Sequence, residues 1–206
     1  MPTDDMLQAA MTTVLHPVPA SSGSEDRRIA AACAAGDAQI FEDIYRRFGA
    51  SLKSIAWNHL GNVSDAEDAV QETFLKIHRS ASTYTGEASF STWIFRILVN
   101  TCYDVLRKRK RRIDEAPIED MVETAERTAP SVDEAKRMTL RKLLNELPEQ
   151  RRSVFTLFEI EGLSHAEIGE ILGITEGNSK WILFATKKEL QQKWKTAVAT
   201  TREISQ

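Results

Sequence analysis

The sequence predicts an all-α protein made of two small helical domains joined by a flexible acidic linker. Glycine and proline are scarce, with 9 and 6 copies among 206 residues, and such a composition favours helices over folds that are rich in turns. Apolar residues recur every three or four positions through most of the chain, which is the period of a helix that buries one face. Charge is grouped in blocks that mark two domains and a connector.

The net charge of −3 conceals an uneven distribution. Residues 27–112 carry 14 basic and 9 acidic side chains, and residues 136–206 carry 12 and 9. Between them, residues 113–135 have 8 acidic side chains, a single basic one and two prolines. Two basic blocks therefore flank an acidic connector, and each block has the sign of charge that favours contact with nucleic-acid phosphates.

These patterns set the domain boundaries that we expect. Residues 1–25 should be a disordered leader, because its stretch of prolines and serines cannot hold a helix. Residues 26–112 should form a helical bundle and residues 113–135 a linker. Residues 136–196 should form a second domain that ends in a helix-turn-helix, followed by a tail over residues 197–206.

Capping signals predict the helices of the first domain. Asp37 can cap a helix that ends near Gly61. Ser64 and Glu67 have the spacing of a capping box, which would open the next helix. A further helix is expected over about residues 91–112.

This further helix offers two features typical of nucleic-acid contact. Trp93, Arg96 and Asn100 share a face separate from its apolar side, and aromatic and amide groups can stack on and read unpaired bases. The helix ends in six basic residues, 107–112, which can follow a phosphate backbone. Two alternatives stay open: Trp93 as a residue of the core, and the basic run as a solvated helix end that the helix dipole favours.

Residues 164–190 predict a helix-turn-helix. A second capping box, Ser164 with Glu167, opens a short helix, Gly173 forms the turn, and a longer helix runs from about Glu176 to Trp194. Such a pair can place the front of its second helix in a major groove of DNA. A plain helical hairpin that packs on a partner fits the pattern equally well.

Segments of both domains resemble sigma-70-family transcription factors. Residues 65–75 (DAEDAVQETFL) and 90–97 (FSTWIFRI) resemble the second conserved region of that family, with Asn100, Asp104 and Arg107 following in register. Leu147-Pro148 and residues 161–174 (EGLSHAEIGEILGI) look like its fourth region. The size and the two-block layout resemble the small extracytoplasmic-function (ECF) group.

The resemblance implies partners and contact residues. The partners are core RNA polymerase and promoter DNA, and an anti-sigma factor is a further implied partner. The candidate polymerase contacts are Asp68, Gln71 and Glu72. A base of the −10 element, extruded from the stack, would be captured on a surface that includes Tyr84, Gly86, Trp93, Arg96, Asn100 and Arg107. The candidate −35 contacts are Asn178, Lys180, Trp181, Phe184 and Lys187.

The last helix departs from the family pattern. Ile182 and Ala185 stand where arginines are expected, and Ser179 stands where a core valine is usual. Trp181, Ile182 and Phe184 would leave an apolar strip on the helix. The helix therefore either reads an unusual −35 element or binds a protein.

No motif indicates an enzyme, a cofactor or a metal site. The four histidines are isolated, the two cysteines form no CxxC pair, and phosphate loops, dinucleotide fingerprints and nucleophile elbows are missing. Charges interrupt the apolar stretches and no signal pattern opens the chain, so we expect a cytoplasmic protein without membrane insertion. Two rivals remain: a helical adaptor whose helix-turn-helix binds a protein, and a regulator that binds DNA without core polymerase.

Overall fold

The computed structural model describes residues 23–115 and 132–204, with side chains for residues 23–112 and 138–197. Within these ranges the chain is helical and contains no strand, which confirms the predicted fold class. Most of the expected leader, residues 1–22, and most of the expected linker, residues 116–131, lie outside the described residues.

Two groups of helices make the two domains. The N-terminal group consists of α1 (Gly23–Ala35), α2 (Ala38–Leu60), α3 (Val63–Ser80), a 3-10 turn (Ala81–Thr83) and α4 (Phe90–Glu115). The C-terminal group consists of α5 (Val132–Asn145), α6 (Glu149–Phe155), a π-helical turn (Thr156–Ile160), α7 (His165–Leu172) and α8 (Glu176–Ile204).

Local capping positions α2 and α3, with one correction. Asp37 caps α2, and Gly61, with a φ of 75°, ends it, both as predicted. The predicted capping box at Ser64 is wrong. The N-cap of α3 is Asn62, whose side chain accepts the backbone N–H of Asp65 at 2.7 Å. Asparagine is as good an N-cap residue as serine. Here Asn62, two residues before Ser64, accepts a backbone N–H that is free in the first turn of the helix.

Helix α1 was not predicted. Its residue Asp26 is only 2% exposed, and its carboxylate accepts the backbone N–H of Phe90 at 3.0 Å. This bond satisfies a free donor in the first turn of α4 and ties the two helices together. The alanine-rich α1 buries Ala30 and Cys33 but lacks the strong apolar stripe that reveals a helix in sequence.

Two helices extend beyond their predicted ends. Helix α4 continues past Arg112 to Glu115, and α8 continues past Trp194 through most of the expected tail, to Ile204. No glycine or proline follows Gly177 in the sequence, so no breaker stops α8. Of the helices in the described ranges, none combines the length and hydropathy of a bilayer-spanning segment.

The core follows the helical period in both domains. The largest fully buried apolar side chains of the N-terminal domain are Leu52, Ile55, Ile77, Phe90, Ile94, Phe95 and Leu98. Those of the C-terminal domain are Phe155, Leu157, Ile168 and Leu190. Cys33 and Cys102 are free thiols, and burial raises their pKa values to about 11 and about 12.

A buried polar cluster joins the two domains. His59 of α2 donates through Nδ1 to the carbonyl of Ile55 at 2.8 Å. Its Nε2 lies 2.8 Å from the hydroxyl oxygen of Ser153 in α6, and that hydroxyl also donates to the carbonyl of Glu149 at 2.8 Å. Tyr103 of α4 donates to the same Ser153 oxygen at 2.6 Å. Burial lowers the pKa of His59 to about 4, so this imidazole is neutral at pH 7.

Two further contacts join the domains. The guanidinium carbon of Arg141 in α5 lies 3.7 Å from the ring centre of Trp57 in α2, the geometry of a cation–π contact. Helix α7 packs against α4, where Arg96 donates to the backbone carbonyl of Glu170. The C-terminal domain therefore covers part of α4.

Candidate nucleic-acid interfaces

Helices α7 and α8 form the predicted helix-turn-helix. The capping box is confirmed: the N–H of Ser164 donates to the Glu167 carboxylate at 2.9 Å, and the N–H of Glu167 donates to the Ser164 hydroxyl at 3.3 Å. Gly173, with a φ of 67°, ends α7. A Cβ on Gly169 would lie 2.7 Å from the carbonyl oxygen of Ile174. Only glycine permits this close approach between α7 and the turn.

Helix α8 has a buried side and an outward side. Inward-facing residues are Ser179, Ile182, Leu183, Thr186 and Leu190. The outward stripe near the front of the helix consists of Gly177, Trp181, Phe184 and Lys188. Trp181 is 61% exposed and Phe184 is 70% exposed. The expectation that Ile182 belongs to an apolar strip is wrong, because Ile182 packs inside the domain.

The cations of α8 differ in their availability. Lys180 pairs with Glu176 at 2.6 Å on the exposed surface. Lys187, a predicted −35 contact, turns toward Glu159 and pairs with it at 3.0 Å. Lys188 is exposed on the outward stripe. The side chain of Asn178 is exposed, and its backbone N–H donates to Thr175 at 3.1 Å.

An aromatic cluster stands at the start of α4. Trp93 stacks on Phe90 with 5.5 Å between ring centres, and Tyr84 meets both rings edge-on. Trp93 is half-buried, so part of its ring packs in the core and part is exposed to solvent. The Tyr84 hydroxyl donates to the carbonyl of Ala88 at 2.6 Å, and burial with the nearby Asp26 raises the pKa of Tyr84 to about 12.

Gly86 shapes the loop before α4. It adopts a φ of 79°, a left-handed conformation that favours glycine. A Cβ there would lie 2.9 Å from the Nε atom of Arg27 in α1. The predicted −10 loop thus runs close to α1, a helix that the sequence did not reveal.

The remaining predicted −10 residues lie along α4. Arg96 donates to the Glu170 carbonyl across the domain interface, and Arg107 pairs with Asp104 on α4 itself. The Arg107 guanidinium, with Lys76, holds the pKa of Asp104 below its usual range. Asn100 is exposed. Arg96 and Arg107 are exposed as well but are engaged in the contacts above, so Asn100 is an exposed polar group available to a base.

The basic run at the end of α4 is divided by its contacts. Arg109 donates to Asp65 and to the carbonyl of Leu60, so it fastens α4 to the start of α3. Arg107 is paired as described above. The exposed members of the run are Arg107, Lys108, Lys110, Arg111 and Arg112. This part carries the positive surface.

Helix α3 presents the predicted polymerase contacts. Asp68 and Gln71 are exposed, and Glu72 is half-buried, 3.9 Å from Arg79. Leu75, which is not among the predicted contacts, lies one turn further on the same side and is 49% exposed. The spacing of four residues between Gln71 and Leu75 is the sequence signal that places Leu75 on this side of the helix. The polar stripe thus includes an exposed aliphatic side chain.

Family models match both domains. Residues 44–112 match the model described as Sigma-70 region 2, and residues 137–190 match the model described as Sigma-70, region 4. This chain belongs to the sigma-70 family. The two matches correspond to the α2–α4 bundle and to the helix-turn-helix domain, in the order that the resemblance implied.

Relatives of this sigma factor carry ECF names. It is 35% identical over 155 residues to ECF RNA polymerase sigma factor SigM of Mycobacterium tuberculosis, covering 75% of this chain and 77% of that protein. It is 30% identical over 168 residues to ECF RNA polymerase sigma factor SigW of Bacillus subtilis, covering 76% and 90%. This sigma factor is therefore an ECF member of the family.

Solved structures share the fold. CnrH, in complex with the cytosolic domain of CnrY, matches with a TM-score of 0.63 at 23% identity, over 83% of this chain and 97% of that chain. Sigma factor RpoE from Bartonella quintana, in complex with the anti-sigma factor NepR, matches with a TM-score of 0.60 at 24% identity, over 75% and 96%. These matches support the two-domain helical architecture.

Proposed function

We propose that this sigma factor uses α3 to dock on core RNA polymerase, α4 and its preceding loop to engage the −10 element, and α8 to engage the −35 element. The chain is a sigma factor that binds core RNA polymerase and directs promoter-specific initiation, and the family acts without enzymatic chemistry. The outward side of α8 is the main support for the DNA part of the proposal. It exposes aromatic and cationic side chains at the position where a helix-turn-helix meets a major groove.

The polymerase contact is assigned to Asp68, Gln71 and Leu75, with Glu72 at the edge. An exposed leucine among polar groups suits a specific interface, because its burial adds affinity while the polar groups set the register. Leu75→Ala should weaken binding to core polymerase, measured by fluorescence anisotropy. Val63→Ala is the matched control, since Val63 is 62% exposed on a different side of the same helix. Equal affinities for both variants would contradict the assignment.

The −10 contact is assigned to Asn100 and the aromatic cluster beside it, with Gly86 shaping the loop. Extruding a base from the duplex costs stacking energy, which stacking on protein rings and a hydrogen-bonding amide can offset. With 2-aminopurine in the non-template strand, Asn100→Ala should reduce the fluorescence change that reports base extrusion. Gln39→Ala, which removes an exposed amide of α2, should leave that change intact.

The two DNA contacts are proposed to act together. Each is weak alone, and a tether raises the effective concentration of the second contact once the first has formed. Arg96 is bonded to the Glu170 carbonyl while the domains are packed, so its contact with DNA requires that the domains separate. Core polymerase is the partner that we propose holds them apart.

The decisive test is in vitro transcription from a genomic promoter library, with bacterial core polymerase and with or without this protein. Discrete transcripts that require the protein should appear, and their start sites should align on shared −10 and −35 elements. Binding to core without any transcript would favour the adaptor alternative. Failure both to bind core and to yield transcripts would contradict the proposal as a whole.

The adaptor alternative has one observation in its favour, the exposed pair Trp181 and Phe184. Salt distinguishes the two functions. DNA binding releases counterions and weakens steeply as salt rises, whereas apolar association does not. A flat salt dependence of the interaction made by α8 would favour the adaptor.

Location and regulation complete the proposal. We assign this sigma factor to the bacterial cytoplasm, where core polymerase and the chromosome are found. Because CnrH and the Bartonella RpoE were solved with their partners CnrY and NepR, we extend an anti-sigma partner to this chain. A bound anti-sigma factor should suppress the transcripts of the library experiment.

A further inference from the structure

The outward stripe of α8 combines two bare aromatic rings with cations. Trp181 and Phe184 are 61% and 70% exposed, and they lie one turn apart on the same side of the helix. Lys188 and Lys195 continue the stripe toward the C-terminus and are exposed. As far as the side chains are described, to residue 197, this stripe contains no carboxylate. Its charge suits a polyanion rather than a basic protein surface.

The helix-turn-helix lacks the usual reader of guanine. The sequence has no arginine between Arg152 and Arg202, so neither α7 nor the front of α8 offers a guanidinium. Lys180 and Lys187 are paired with Glu176 and Glu159. The bidentate contact that an arginine makes to the O6 and N7 atoms of guanine is therefore missing from this surface.

The major groove offers one apolar group, the C5-methyl of thymine. An aromatic ring placed on this methyl displaces no hydrogen bond of the methyl group, and it buries apolar area. The same ring placed on guanine or cytosine covers their acceptors or amino group without returning a hydrogen bond, which is costly. An aromatic ring in the major groove therefore favours thymine over guanine and cytosine.

We infer that Trp181 and Phe184 read the C5-methyl groups of thymines in the upstream promoter element, in place of an arginine that reads guanine. The inference rests on the proposed function, because it assumes that α8 enters the −35 major groove. It deepens that function by naming the base chemistry that the helix selects. Lys188 adds affinity for phosphates without selecting a base.

The test replaces thymine by deoxyuracil, which removes the methyl and keeps the base pair. A library with a randomised −35 region is first transcribed by the holoenzyme to find the preferred element. Each thymine of that element is then changed to deoxyuracil, and transcription is measured at limiting holoenzyme. We expect about a four-fold loss for each thymine that a ring contacts, equivalent to the burial of one methyl-sized group.

Variants of the rings assign the effect to their side chains. Trp181→Ala and Phe184→Ala should each abolish the difference between thymine and deoxyuracil at one position while core binding stays unchanged. Both side chains are mostly exposed, so the domain should still fold, which circular dichroism can verify. Phe184→Arg should shift the preferred base at its position from thymine to guanine.

Three outcomes would overturn the inference. Equal transcription from thymine and deoxyuracil templates at every −35 position, with transcripts otherwise normal, would remove methyl readout and leave the proposed function standing. Loss of activity in Trp181→Ala and Phe184→Ala that is the same on every element would indicate contact with a protein. The absence of transcripts together with the absence of core binding would reject the proposed function, and this inference with it.

Discussion

The outward sides of α4 and α8 are both assigned to DNA, yet the structure leaves them in different states. On α4, Arg96 is bonded to the opposite domain and Arg107 to Asp104, while Trp93 stacks within a cluster. On α8, Phe184 and Trp181 are 70% and 61% exposed. Among the other large apolar side chains of the described residues, only Val63 is as exposed as Trp181. The outward side of α4 is largely engaged in contacts within the protein, and the outward side of α8 is open.

This difference follows from where each helix lies. Helix α4 is in the middle of the molecule, because it packs on α2 and α3 on one side and on α7 on another. Helix α8 packs on α5, α6 and α7 and leaves one long side to solvent. A surface between two domains gains partners from both, whereas a surface at the edge stays available for an external partner. Each of the following predictions tests one of these two surfaces.

The largest expected effect comes from Gly169→Ala, which should disrupt the α8 side alone. The new Cβ would lie 2.7 Å from the carbonyl of Ile174, so the turn must open, at a cost of about 3 kcal/mol or more. Thermal unfolding followed by circular dichroism should show the loss. Gly177→Ala is the control, because a Cβ placed there would meet no atom within 4 Å beyond its own stretch of helix. Equal stability of the two variants would contradict the close approach.

Acid should loosen the α4 side. The pKa of His59 is lowered from 6.5 to about 4 by burial, with the charge of Arg152 adding to the effect. An unfolded chain takes up the proton near pH 6.5 and the folded chain does not, so the stabilisation is complete above pH 6.5 and is lost as pH falls toward 4. The loss over this window should be about 3 kcal/mol.

His59→Gln serves as the comparison for that experiment. Denaturant unfolding at a series of pH values should give a steep decline for the native chain and a shallower one for the variant. Carboxylates titrate in both proteins, so only the difference between the two curves reports on His59. Identical slopes would show that the imidazole is not buried in a neutral state.

Ser153→Ala should weaken the domain interface by a smaller amount. The substitution removes the hydrogen-bonding partner of both His59 and Tyr103, and leaving buried polar groups without partners costs about 2 kcal/mol. Hydrogen exchange should show faster exchange in α4 and α6 with little change at the front of α8. Uniform acceleration across both domains would indicate global destabilisation instead of a loosened interface.

The smallest expected effect is that of Lys188→Ala on the open side. Removing one phosphate contact should weaken DNA binding similarly on all sequences and reduce the slope of log affinity against log salt by about 1. Lys142→Ala, which removes an exposed lysine of α5, should leave the slope unchanged. A change confined to one −35 sequence would instead give Lys188 a role in base readout.

Features that depend on neighbouring residues could be predicted from sequence. The capping box at Ser164 and the turn at Gly173 are local, and both are confirmed. Asn62 caps α3 in place of Ser64 because both residue types can accept a free backbone N–H, and only the folded chain shows at which residue the helix begins.

Features that join distant segments could not be predicted. His59 and Ser153 are 94 positions apart, and Tyr103 and Ser153 are 50 apart, so no periodicity relates them. The same holds for Asp26, which accepts the N–H of Phe90 from 64 positions away. For the site, the helices and most of their outward residues could be predicted. The pairing of Lys187 with Glu159 and the burial of Ile182 depend on packing within the domain.

The two buried thiols have a practical consequence. Cys33 and Cys102 are the only cysteines of the chain, both are inaccessible, and their raised pKa values keep them protonated and unreactive. A single cysteine introduced on the surface of each domain, for example in place of the exposed Ala50 and Ala166, can therefore be labelled selectively in the native background. A donor and acceptor dye at these positions would report directly on the distance between the two domains as the sigma factor meets polymerase.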